Sequence, residues 1–213
     1  MTVVQALLAF SAAAALLTVT PGLDTALVLR TAAVEGPRRA ALAGTGIIAG
    51  CLVWGAAAAF GLGALFAASQ LAFSVLKWVG AAYLVWLALN LILRPRERFD
   101  VAGAPAAAGS GLAGSSMAWM RRGFLTNLLN PKVGVFYVSF LPQFLPQGAP
   151  AGPFIFGLAA LHGLMSAVWF AALIAATQPI AQALRRPGVV RWLDRLTGGV
   201  FLAFGLRLAL ERR

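Results

Sequence analysis

Six long apolar runs, separated by short polar or basic segments, form the main pattern of this sequence. They cover approximately residues 3–29, 40–66, 71–93, 123–145, 154–178 and 193–210. A helix needs about 20 mostly apolar residues to cross about 30 Å of hydrocarbon. Each run therefore predicts a membrane-spanning helix, and the chain is predicted to be an all-α integral membrane protein with a single transmembrane domain over residues 1–213.

The first and last runs each leave an alternative to consider. Arg195 and Arg207 bracket only 11 uncharged residues in the last run, so a chain of five spans is the alternative to six. The first run could be mistaken for a signal peptide. It has no Lys or Arg before Arg30, and the basic start of a signal peptide is therefore missing. We predict an uncleaved first span.

Composition supports a membrane protein and argues against a soluble basic one. The chain is 61% hydrophobic and 11% charged, whereas soluble domains carry about 25% charged residues. Its net charge of +11 is high enough to raise nucleic-acid binding as a question, but so much apolar surface does not fit a soluble basic module. No nucleic-acid partner is predicted. Six acids, one histidine and the single Cys51 give no metal cluster, and no cofactor is predicted.

The basic residues are distributed unevenly between the two sides of the predicted bundle. The loops after runs two and four carry no Lys or Arg. The loops after runs one, three and five carry eleven arginines, at positions 30, 38, 39, 94, 96, 98, 121, 122, 185, 186 and 191. Because positive residues stay in the cytoplasm, these three loops are predicted to be cytoplasmic and both termini periplasmic.

Two pairs of similar features indicate an internal repeat. The segment KWVGAAYLVW (77–86) resembles RLTGGVFLAF (195–204), and Pro21 and Pro131 interrupt the first predicted span of each half. With three spans in each half, the second copy enters the membrane upside down, as in many secondary transporters. The prediction is two inverted three-helix repeats, one over about 1–93 and one over about 123–213, joined by a cytoplasmic loop at about 94–122.

The stretch TVTPGLDTALVLR (18–30) predicts a break in the first span. Pro21 removes a backbone donor and Gly22 relaxes the backbone. Broken backbone at membrane depth is tolerated only where protein or a watery cavity satisfies it. Asp24 follows in the first turn after the break, where an acid is costly and is a candidate for substrate contact or proton coupling. Its alternative role is to cap the half-helix.

The stretch NLLNPK (127–132) predicts the matching break at Pro131, in the fourth span. Asn127 and Asn130 share a helix face, so their amides are candidates for binding a polar ligand or for repairing the opened backbone. Lys132 is predicted to pair with Asp24 or with a substrate carboxylate; its alternative is to extend to the membrane interface. An acid and a base on two broken helices would suit a zwitterion such as an amino acid.

Two further features carry weaker predictions. His162, in the fifth run, is a candidate for proton titration near neutral pH, with a structural hydrogen-bonded histidine as the alternative. Gly46 and Gly50 form a small-xxx-small pair that predicts a close contact between helices. The sequence contains no HExxH motif and no Walker A lysine, so no enzyme is predicted.

Four segments resemble the LysE/RhtB translocator family, the lysine and homoserine/threonine exporters of bacteria. They are TPGLDTALVLR (20–30), LKWVGAAYLVWL (76–87), NLLNPKVGVFYVSFLPQF (127–144) and RWLDRLTGGVFLAFGLRLAL (191–210). The resemblance extends from the first run to the last. It implies export of amino acids or their derivatives across the bacterial inner membrane, driven by the proton gradient, with a homodimer as a possible assembly.

The family motifs fall on Pro21, Gly22 and Asp24 and on the segment Asn127 to Lys132, with two departures. Leu23 stands where family members often have a second proline, which implies a softer break. Trp54 stands where some relatives carry a histidine, which removes a titratable group and narrows the implied cavity. A passive channel or uniporter, an exporter of another small metabolite, an intramembrane enzyme and a structural protein are the alternatives to an amino-acid exporter.

Overall fold

The computed structural model describes residues 1–68, 70–95, 115–184 and 186–210, and these form helices with no β-strand. The helices are α1 (Val3–Val19), α2 (Leu23–Glu35), α3 (Pro37–Ala68), α4 (Gln70–Leu93), α5 (Ser116–Leu128), α6 (Pro131–Val135), α7 (Ala151–Ala175), α8 (Thr177–Leu184) and α9 (Pro187–Leu210). Between α6 and α7 the chain forms a π-helical turn (Phe136–Phe140) and a 3-10 turn (Leu141–Phe144).

The apolar runs coincide with these helices, but the predicted loop at 94–122 is shorter than expected. Helix α5 begins at Ser116, where the side chain of Ser115 accepts a hydrogen bond from the Ala118 amide at 3.2 Å. Burial of Trp119 against the other helices stabilises this first turn. Residues 116–122 are therefore helical, and the loop prediction is wrong there; residues 96–114 lie outside the described residues.

The chain breaks its helical path at both prolines, as the sequence predicts. Helices α1 and α2 meet at an angle of 51°. The first ends at Val19, and the second begins after an extended Gly22. Helix α5 ends at Leu128, and α6 restarts with Pro131 as its first residue. Proline is favourable there because the first helical residue needs no amide donor.

Helix α3 lies at the centre of the helices that build the site, packed along α5, α7 and α2, while α4 packs along α9. The contact between α3 and α5 depends on two glycines. A Cβ added to Gly46 would stand 1.9 Å from the Met120 carbonyl oxygen, and one added to Gly123 would stand 1.9 Å from that of Ala43. The close helix contact predicted for Gly46 is confirmed.

An aromatic cluster fills the core beside the second break. Phe10, Phe136, Phe140, Phe144 and Phe201 are all buried within it. The rings of Phe136 and Phe140 stack with centroids 4.8 Å apart. This cluster joins α1 and α9 to the π-helical turn and fixes the chain that follows α6.

Two described helices are long and apolar enough to cross a membrane, over Pro37–Gly61 and Ala151–Ala175. The bent pair α1 and α2 makes a third if it counts as one span. The described part of the chain is therefore that of an α-helical membrane protein. Six spans in two inverted repeats stay a prediction.

Replacing Gly46 with alanine is expected to destabilise the protein, because the new methyl group would overlap a backbone carbonyl of α5. Overpacking of this kind costs about 1–3 kcal/mol or more. The change is measured as a lower midpoint of thermal unfolding in detergent. Gly157→Ala is the matched control, because a Cβ there meets nothing within 4 Å. An equal midpoint for the two variants would contradict the close crossing.

Candidate functional site

The amine of Lys132 occupies the gap that Pro21 leaves at the end of α1. In an unbroken helix the carbonyl of Leu17 would accept a hydrogen bond from residue 21, but proline has no amide hydrogen. Lys132 Nζ lies 3.3 Å from the Leu17 oxygen and 3.2 Å from the Thr20 oxygen. The structure thus places this lysine inside the protein, at the carbonyl end of α1, where a positive charge is favourable.

Asp24 lies in the first turn of α2 and is held from the second half of the chain. The amide nitrogen of Asn127 donates to Asp24 Oδ2 at 2.8 Å. Asn127 is completely buried, and its nitrogen also lies 3.4 Å from Cys51 Sγ. Gly50 makes room for this side chain, because a Cβ there would stand 2.6 Å from Asn127 Oδ1. An acid from the first break and an amide from the second are therefore joined.

Asn130 has a local role at the second break. Its side-chain oxygen accepts a hydrogen bond from the Lys132 amide at 3.1 Å, which caps α6. Its backbone carbonyl accepts hydrogen bonds from Val133 and Gly134. Asn130 thus repairs the backbone opened by Pro131, one of the two roles that the sequence allowed for it.

Two oxygens at the site are buried without a hydrogen-bond partner. They are Asp24 Oδ1 and Asn127 Oδ1. Buried polar atoms are nearly always paired, and an unpaired one next to a charge is costly. Unpaired acceptors in this position are suited to a donor that arrives with a ligand, such as an ammonium group or a proton.

A narrow cavity of about 40 Å³ lies between the two breaks. Asp24, Lys132, His162 and Ser166 line its polar part. Its apolar part is lined by residues that include Ile47, Val133 and Phe170. Ligand sites commonly combine a mostly apolar wall with a few placed polar groups. Among the described residues, no group of three His, Cys, Asp or Glu side chains could hold a metal ion.

His162 is buried at the edge of this cavity and bonded to Tyr137. Its Nδ1 lies 2.8 Å from the tyrosine hydroxyl. Tyr137 belongs to the π-helical turn, a distortion that often accompanies functional sites. Tyr137 was not predicted from the sequence, because a functional aromatic residue in an apolar run cannot be told from one that only packs in the core.

The burial of several other polar residues was also not predicted from the sequence. Thr20, at the end of α1, shares a hydrogen bond with Thr197 of α9, and both are buried. Asp194 of α9 is completely buried. This acid lies at the start of the sixth apolar run, between Arg191 and Arg195, and its burial becomes visible only in the structure.

Comparison with known proteins gives one family and several relatives. The family described as "LysE type translocator" matches residues 15–212. The chain is 31% identical to the homoserine/homoserine lactone efflux protein of Salmonella typhi, over 92% of each chain. It is 30% identical to the leucine efflux protein of Enterobacter sp. strain 638, over 89% of this chain and 88% of that protein.

A third relative, the uncharacterized membrane protein YrhP of Bacillus subtilis strain 168, is 26% identical over 97% of this chain and its own full length. No solved structure matches the chain. The match covers both helix breaks and every residue that lines the cavity. The chain therefore belongs to the family of LysE-type translocators, and it is a membrane transporter rather than an enzyme.

Proposed function

We propose that this protein is a secondary transporter that exports amino acids or small amino-acid derivatives across the bacterial inner membrane, coupled to protons. One observation carries the proposal: the acid Asp24 and the base Lys132, from two different broken helices, line the same cavity. The efflux relatives support the substrate class, because their names give homoserine, homoserine lactone and leucine.

The cavity offers complementary groups to the two ends of a zwitterion. In the proposed complex the ammonium group of the substrate binds the unpaired Oδ1 of Asp24. Its carboxylate binds the amine of Lys132 and the N-terminal amides of α2, where Gly22 supplies no side-chain cap. The substrate side chain packs against the apolar wall at Ile47 and Phe170.

Proton coupling follows from competition for Asp24. A carboxylate in a site with little water binds either the ammonium of the substrate or a proton, and one binding event displaces the other. His162 is proposed as a second proton-titrating group, because it lines the same cavity. The two inverted repeats would supply the motion, with the broken pairs α1–α2 and α5–α6 moving around the fixed site. A homodimer is compatible with this scheme and is not required by it.

Asp24→Asn is expected to abolish export driven by a pH gradient. Asparagine keeps the size of the side chain but has no charge and binds no proton. Efflux of labelled amino acids from proteoliposomes should fall about tenfold or more, because a hydrogen bond to a charged group contributes about 1.5–3 kcal/mol. Glu35→Gln is the matched control, since this acid lies on the same helix in an ion pair with Arg39.

The same assay separates the exporter from its alternatives. Efflux that ignores the gradient and survives Asp24→Asn would indicate a passive channel or uniporter, with Asp24 acting only as a helix cap. Folded protein that moves no amino acid would exclude the substrate class.

Lys132→Gln is expected to weaken the preference of the protein for substrates that carry a carboxylate. If Lys132 binds the carboxylate, the wild type should prefer an amino acid over its C-terminal amide, and the variant should lose most of this preference. The variant should also unfold more easily, by about 1–3 kcal/mol, because it loses the charged bonds to the carbonyls of Leu17 and Thr20. A destabilised variant that keeps the wild-type preference would restrict Lys132 to repairing the broken helix.

The predicted orientation can be tested by cysteine labelling, because Cys51 is the only cysteine and is buried. In a Cys51→Ala background, an impermeant maleimide should label Gln147→Cys in intact cells, because this exposed residue lies in a predicted periplasmic loop. Arg38→Cys, exposed in a predicted cytoplasmic loop, should react only after lysis. The reverse result would contradict the assignment from the arginines.

A further inference from the structure

A second cleft lies outside the transport cavity, at the end of the molecule where α2 meets α5. Arg30 and Glu35 of α2 and Trp119 and Arg122 of α5 line it, together with Leu27 and Val34. It holds about 200 Å³. Trp119 also lines a second hollow of about 450 Å³, together with Arg38 and Arg39. Arginines from the two cytoplasmic loops predicted after runs one and three are thus brought together.

Two donors in this cleft are buried and have no hydrogen-bond partner. The side chain of Trp119 is only 6% exposed, yet its indole Nε1 is unpaired. Nη2 of Arg122 is also buried and unpaired. The Arg122 guanidinium lies over the Trp119 ring, with Cζ 5.4 Å from the centroid, so the two groups are held together. Unpaired buried donors of this kind indicate that an acceptor is missing.

The charges in the cleft favour an anion. Arg122 lies just before the predicted fourth span, and burial, followed by the positive charge of Arg30, lowers the pKa of its guanidinium. The carboxylate of Glu35 raises the pKa of Arg122, but it accepts a hydrogen bond from Arg39 in an ion pair at 2.5 Å. Arg122 therefore lies near a second positive charge, and the one carboxylate that lines the cleft is already paired with Arg39.

We propose that this cleft binds a phosphate group, supplied either by the headgroup of an anionic phospholipid or by free inorganic phosphate. Guanidinium groups match phosphate oxygens with paired donors, and the indole N–H adds a third direction of contact. Val34, which is 70% exposed, gives an acyl chain an apolar surface to follow at the rim of the cleft. Basic clefts between membrane helices on the cytoplasmic side are suited to such headgroups. The site is independent of the proposed substrate.

The test uses the purified full-length protein in detergent and measures binding of phosphatidylglycerol, phosphatidylcholine and inorganic phosphate by native mass spectrometry and thermal shift. Wild type should bind phosphatidylglycerol at least about fivefold more tightly than phosphatidylcholine. Arg122→Gln and Trp119→Phe should each remove most of this preference, the second by losing the indole donor while keeping an aromatic ring. Arg121→Gln is the matched control, because this neighbouring arginine is exposed and has the same charge.

The outcomes distinguish a lipid headgroup from free phosphate, and they distinguish both from failure of the proposal. Binding of phosphatidylglycerol that phosphate does not displace identifies a lipid site, and tight binding of phosphate itself identifies a free-anion site. If Arg121→Gln weakens binding as much as Arg122→Gln, or if Trp119→Phe leaves it unchanged, the cleft is not the site. Trp119→Phe keeps the aromatic ring, so it tests the donor even if Arg122→Gln does not fold. None of these readouts depends on transport activity.

Discussion

The missing amide hydrogen of Pro21 is the constraint on which the site depends. It leaves the carbonyl of Leu17, a residue buried in the protein, without its helical partner, and a buried backbone carbonyl needs a partner from the protein. Lys132, which follows the other proline, supplies the hydrogen bond. The break in the first half of the chain is therefore stable only when the second half is packed against it. The same hydrogen bonds hold the amine of Lys132 at the cavity.

A second link between the halves, from Asn127 to Asp24, has a different character. It satisfies one carboxylate oxygen and leaves the other buried and unpaired. The glycine at position 50 permits this arrangement, since a Cβ there would stand 2.6 Å from Asn127 Oδ1 and the side chains would have to shift. The hydrogen bond from Asn127 fixes the orientation of the Asp24 carboxylate and leaves its second oxygen available to a ligand. A group that binds a ligand only transiently needs this property.

Sequence alone predicted most of the helices and both breaks, because apolar length and proline act locally. It also brought Asp24, Asn127 and Lys132 forward as candidates, since polar residues inside apolar runs are conspicuous. It did not predict the contacts between them, nor that Asn130 caps α6. The start of α5 at Ser116 was missed because the burial of Trp119, a tertiary effect, outweighs a sequence rich in serine and arginine. Tyr137, Thr197 and Asp194 were missed because their importance lies in partners or burial that only the fold supplies.

The two links together give the proposed transport cycle a physical basis. Lys132 binds the carbonyls of α1, and Asn127 binds Asp24, so each charged group already has a neutral partner from the protein. A zwitterion offers both of them a charged partner instead. Its carboxylate competes with backbone oxygens for the lysine, and its ammonium adds to the free side of the aspartate. Because the lysine bonds also hold the end of α1, a substrate that takes the lysine loosens the junction between α1 and α6. In the proposed cycle, substrate binding would thereby be connected to the relative positions of α1 and α6, which is the connection that alternating access needs.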